Sequence, residues 1–128
     1  MKRLLLDTHT LLWWLADHRA LGKASKALIA ANDSVVFVSA ASIWEIAIKK
    51  ALGKLSAPGN FDSILEDGGF DTLPVEVFHA EQAGSLPAHH RDPFDRMLVA
   101  QAQAEGLTIV TADPQLAAYG VRVLDAMQ

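Results

Sequence analysis

Residues 93–113 read PFDRMLVAQAQAEGLTIVTAD. Asp92 stands immediately before Pro93, and Asp95 follows two residues on, so an N-cap, an N1 proline and an acid in the first turn come in sequence. The apolar residues then recur at helical spacing until Gly106, which predicts a helix over 93–104. A short β-branched run follows, predicting a buried strand over 107–111 with Asp113 just beyond it. Pro114 opens the next turn.

The same order recurs outward from this stretch. RLLL at 3–6 reads as a buried strand ending at Asp7, with a helix over 8–16 behind it. Helices are predicted over 25–31, 42–52, 60–67 and 75–83, and strands over 35–39, 70–73 and 121–124. Residues 54–60 and 86–93 read as loops, and 114–119 as a last helical turn. Strands alternating with helices imply parallel pairing through crossovers, hence an α/β fold. A central, mostly parallel sheet of four to five strands, flanked by helices as an α/β/α sandwich, is therefore expected. Ligands in such sheets bind beyond the carboxyl ends of the strands.

Bulk properties narrow the function classes. At 128 residues, one domain spanning 1–128 is expected, with 51% hydrophobic and 20% charged residues. Apolar runs fall far short of the roughly 20 residues that cross a bilayer. The opening MKRLLLDTHTLLWWLAD superficially resembles an export signal, but Asp7 and His9 interrupt it and no small-residue cleavage site follows, so a cytoplasmic protein is expected. Cysteine is absent, so a metal would be held by carboxylates or imidazoles. The net charge of −4 counts against a general electrostatic grip on nucleic acid. Acids gathered in one cation-binding pocket would reconcile that number with a nucleic-acid substrate, because bound cations reverse the local field.

Asp7 and Asp113 follow strands at the expected active edge. Each is also explained as a helix cap, as is Asp92. Ser42 and Glu45 match a capping box, and Glu45 can pair with Lys49 one turn on. The neighbourhood favours more than capping. Glu45 lies within SIWEIAI, and Asp95 precedes MLVAQA, both of which must pack on the sheet. Four carboxylates within about 4–6 Å raise one another's pKa and cannot all ionise unaided. A divalent cation resolves the conflict, and all-oxygen ligation selects Mg2+ or Mn2+ over zinc.

LLLDTHTLLWWL, SIWEIAIKKALGKL and HHRDPFDRMLVAQAQAEGLTIVTAD, in that order over nearly the whole chain, resemble a PIN-domain ribonuclease, in the branch of VapC-type toxins of bacterial toxin–antitoxin modules. The resemblance implies a single PIN-like domain with Asp7, Glu45, Asp95 and Asp113 as metal-binding, catalytic acids. Asp92 is then an accessory or a cap, and Thr111 a hydroxyl lining the same pocket. His9 departs from the Asn that many PIN domains carry two residues after the first acid, and would orient a carboxylate, contact RNA or pack at a helix start.

The implied reaction is phosphodiester hydrolysis of RNA, in which one or two divalent ions activate a water, leaving 5′-phosphate and 3′-hydroxyl ends. Arg91, Arg96 and Lys49 are the candidate RNA contacts. The apolar first helix, with Trp13 and Trp14, is expected to pack one face on the core and offer another to a partner, which the resemblance makes a second copy of the chain or a cognate antitoxin. His18, His79, His89 and His90 are expected on solvated loops or helix surfaces. Two alternatives stay open: a Rossmann-like phosphatase or phosphotransferase with Asp7 as nucleophile, and a non-catalytic protein-binding module on the same fold.

Overall fold

A computed structural model describes residues 2–128. Five strands, β1 (Lys2–Leu6), β2 (Ser34–Ser39), β3 (Asp71–Leu73), β4 (Thr108–Thr111) and β5 (Val123–Asp125), form one sheet in the order β3-β2-β1-β4-β5. Every pairing is parallel. The helices are α1 (Thr8–Leu15), α2 (Lys23–Ala30), α3 (Ala40–Ala51), α4 (Phe61–Asp67), α5 (Val77–Ser85) and α6 (Pro93–Glu105), with a 3-10 helix over Pro114–Tyr119.

The central strand explains the layering. Leu4, Leu5 and Leu6 are all fully buried, which is the mark of a strand covered on both faces. Period-2 alternation divides them between two cores. Leu4 and Leu6 join Leu11, Leu21, Ile29, Val38, Ile46 and Leu65 on one side, while Leu5 joins Leu98, Val99, Ile109 and Leu116 on the other. The chain leaves β1 toward β2 and β3, then returns to add β4 and β5 on the opposite side. Strand order therefore reverses between β1 and β4, and the crevice at their carboxyl ends is where such a sheet binds ligands.

Most boundaries shift by one or two residues from those expected, but the start of α3 is corrected for a specific reason. The N-cap is Ser39, whose Oγ accepts from the Ala41 amide, so β2 runs directly into the helix. Ser42 and Glu45 lie inside the helix on its buried face, and no capping box forms between them. The solvated position expected for His79 is also overturned. It is fully buried, and its Nδ1 accepts the Glu76 amide at the start of α5. Trp13 and Trp14 are half-buried against the core, whereas Trp44, Val77 and Phe78 are exposed.

Gly22, the N-cap of α2, offers no side chain to the first amides of the helix. The segment after β5 takes that role: Ala24 N–H donates to the Gln128 carbonyl at 2.8 Å and Gly22 N–H to Ala126 at 2.9 Å. A Cβ on Gly22 would lie 2.0 Å from the Gln128 carbonyl carbon. Gly22→Ala is expected to undock this segment and lower stability by about 1–3 kcal/mol, read as a fall in denaturation midpoint and as faster amide exchange at Ala24.

Candidate active site

Asp7 follows β1, and its own amide donates to Val110 of β4 at 3.2 Å, so the parallel pairing sets its position. Its Oδ1 accepts from the Thr10 amide at 2.9 Å as the N-cap of α1, and its Oδ2 from the Thr111 hydroxyl at 2.5 Å. Asp113 follows β4, and its Oδ1 caps the 3-10 helix through the Gln115 amide. Thr111 Oγ1 in turn accepts from the Asp113 amide at 3.0 Å. One hydroxyl thus couples the two strand-end acids.

Glu45 reaches the same pocket from α3. It is buried, with Oε1 accepting from the Thr8 hydroxyl at 2.6 Å and Oε2 bonded to Lys49 Nζ at 2.7 Å. That bonded carboxylate raises the Lys49 pKa above its ordinary value. Asp95 enters from the first turn of α6, and Asp92 caps that helix through the Phe94 amide at 2.8 Å. Asp7, Thr8, His9, Trp13, Glu45, Lys49, His90, Asp92, Asp95 and Asp113 line one open pocket. Asp7, Asp92 and Asp113 each cap a helix and also line the pocket, so for these three the two readings do not compete.

The candidate RNA contacts separate. Lys49 lines the pocket beside His9, and Arg91 is exposed on the loop before α6. Arg96 points away from the pocket to hold that loop. Its Nη1 donates to the carbonyls of Pro87 (2.9 Å) and His90 (3.3 Å), and its Nη2 to those of Ala83 (3.0 Å) and Leu86 (2.9 Å). A guanidinium already spent on four carbonyls is structural, and nothing in this geometry supports an RNA contact by Arg96.

Sequence reasoning missed His90, which is not on a solvated surface. Its Nε2 lies 2.9 Å from Asp113 Oδ2 and 3.3 Å from Asp95 Oδ2. The three groups offer donor atoms all within 4.8 Å of one another. The available signal was the HHRDPFD run, which puts an imidazole just ahead of the acids in the loop at the active edge.

Burial and neighbouring charge together act on Asp95. Burial, then the Asp92 charge, push the Asp95 carboxyl up to about 7, with His90 opposing and Asp7 and Glu45 adding to the rise. A carboxyl with a raised folded pKa holds its proton where the unfolded chain has lost it, so stability falls as pH rises between about 4 and about 7. In chelator-treated protein this component of the loss is expected to vanish in Asp95→Asn, giving that variant the higher thermal midpoint above pH 7.

No curated protein matches the sequence. Among solved structures, the fold is similar to a toxin–antitoxin complex from Klebsiella pneumoniae (18% identity, TM-score 0.64, covering 96% of this chain and 97% of that one). It is also similar to DNA-bound VapBC from Salmonella typhimurium (19%, 0.68, 98% and 98%). The PIN domain endonuclease Utp24 is a more distant likeness (15%, 0.53, 98% and 87%). At these identities the likeness speaks for the fold. The PIN-domain family model matches residues 4–122. With its all-parallel sheet and its acids at the β1/β4 reversal, this chain belongs to the PIN domain family.

Proposed function

We propose that this chain is a divalent-metal-dependent endoribonuclease acting as the toxin of a toxin–antitoxin pair. The observation that carries the reading is the convergence of Asp7, Glu45, Asp95 and Asp113 from four separate elements into one pocket. PIN domains are generally nucleases, and the fold neighbours include a PIN domain endonuclease and toxin–antitoxin complexes.

The donor set fits a hard cation. Carboxylate oxygens dominate, thiolates are absent, and the Asp95 carboxyl is pushed up first by burial and then by the neighbouring Asp92 charge, a cost that a bound cation would offset. Asp7, Asp95 and Asp113 would hold one or two Mg2+ or Mn2+ ions, with Glu45 ligating directly or through water. Such an ion supplies a water of lowered pKa and neutralises charge growing on the phosphate.

The chain's own residues do the positioning. Thr10 and Thr111 fix the Asp7 carboxylate, Thr8 and Lys49 fix Glu45, and Lys49 with His9 offers polar contacts to an incoming phosphate. Both Asp7 oxygens already accept hydrogen bonds, which blunts them as nucleophiles and weighs against the phosphatase alternative. The partners in this reading are RNA, a cognate antitoxin and a second copy of the chain, in the cytoplasm. No helix among the described residues is long and apolar enough to cross a membrane.

Asp7→Asn and Asp113→Asn are each expected to reduce RNA cleavage by more than about 100-fold, since even outer groups around a metal site cost 10–100-fold. Chelation should abolish cleavage in the wild type, and Mg2+ or Mn2+ restore it. Mapped RNA ends should carry 5′-phosphate. Cleavage that survives both chelation and Asp7→Asn, or growth arrest undiminished in Asp7→Asn cells, overturns the proposal.

A further inference from the structure

Three of the four acids have their carboxylates oriented by groups outside the cluster. Asp7 has Thr10 and Thr111, Glu45 has Thr8 and Lys49, and Asp113 has the Gln115 amide. Asp95 differs. Among the described residues no hydrogen bond to its side chain is found, and the His90 ring stands against it with Nε2 3.3 Å from Oδ2.

The ring of His90 is itself held from the far side. Its Nδ1 accepts the Asp92 amide proton at 3.0 Å. A nitrogen that accepts has a free lone pair, so in the neutral ring the proton sits on Nε2. That Nε2–H is hydrogen-bonded to Asp113 Oδ2 at 2.9 Å, and Asp95 Oδ2 stands 3.3 Å from the same nitrogen. The backbone of His90 is pinned as well, with its N–H donating to the Tyr119 hydroxyl at 2.8 Å and its carbonyl accepting from Arg96. Turning the ring to offer a lone pair to the acids would break the hydrogen bond from the Asp92 amide.

We propose that His90 is a positioning residue of the acid cluster, whose Nε2–H fixes the Asp113 carboxylate beside Asp95 and leaves the remaining lone pairs of both acids facing a shared cation. It is not a ligand, because ligation through Nε2 requires that nitrogen to shed its proton and the Asp92 amide to lose its acceptor. This rests on the reading of the cluster as a metal site. It adds an imidazole that composition and spacing left among the solvated histidines. Outer partners of metal-binding groups set ligand geometry, and their loss reduces metal affinity by about 10–100-fold.

Binding of Mn2+ to the intact protein, followed by the signal of free aquo Mn2+, tests this without any activity measurement. His90→Ala is expected to weaken binding by about 10–100-fold. His90→Gln, whose side-chain amide can donate from near the Nε2 position, is expected to recover most of the loss, which a general loosening of the loop would not allow. In the Mg2+-loaded wild type, nitrogen NMR of the ring should show the proton still on Nε2, and pulsed EPR of the Mn2+ form should show no imidazole nitrogen bound to the ion. Unchanged affinity in His90→Ala, no recovery in His90→Gln, or nitrogen coordination to Mn2+ each overturns the role. If the wild type binds Mn2+ no better than a variant lacking Asp7 and Asp113, the metal site itself falls, a result distinct from the failure of His90.

Discussion

Parallel pairing of β1 with β4 is the constraint on which the site depends. The two strands lie side by side although they come from opposite ends of the sequence, and their shared register puts Leu6 opposite Val110. Asp7 and Asp113 then leave the sheet at the same edge. Both faces of β1 are buried, so the register is strongly held: sliding it by one residue would exchange the two leucine cores. Hydrophobic packing thus sets the spacing of charges it never touches.

Helix ends do the complementary work. Asp7 caps α1, Asp92 caps α6 with Asp95 in its first turn, and Asp113 caps the 3-10 helix. Amides at these ends donate to carboxylates, and the positive ends of α1 and α6 favour negative charge nearby. A capping bond occupies one lone pair and leaves others free, so one acid can end a strand, start a helix and face a pocket. Burial still outweighs this help at Asp95, whose carboxyl is pushed up to about 7.

Features that depend on neighbours in the chain were legible from the sequence. The strand-then-acid junctions at Asp7 and Asp113, the Asp92–Pro93 opening of α6 and its closure at Gly106 all follow from local chemistry. Alternating elements imply a mostly parallel sheet of four to five strands, but the order of the strands and the place of the reversal depend on tertiary packing and were not legible. Ser39 and Ser42 are locally equivalent caps, and only the burial of the face carrying Ser42 and Glu45 decides between them. His90 was hidden for a similar reason. Its backbone is held by Tyr119 and Arg96 and its ring by the Asp92 amide, and Arg96, which flanks the acids in sequence, is spent on carbonyls of the loop. Side-chain direction on a loop is a tertiary property, and a charge beside a motif carries no record of which way it points.

The reversal between β1 and β4 also has a meaning in time. A ribosome delivers Asp7 before Glu45 and Asp95, but β1 stays open along one edge until residues 108–111 arrive to pair with it. Contacts so distant in sequence are the slow ones to form. No growing chain that stops short of β4 can bring Asp113 and the Thr111 hydroxyl to Asp7. Asp113 therefore joins the other acids last, and the cluster stays incomplete until the sheet closes on β4.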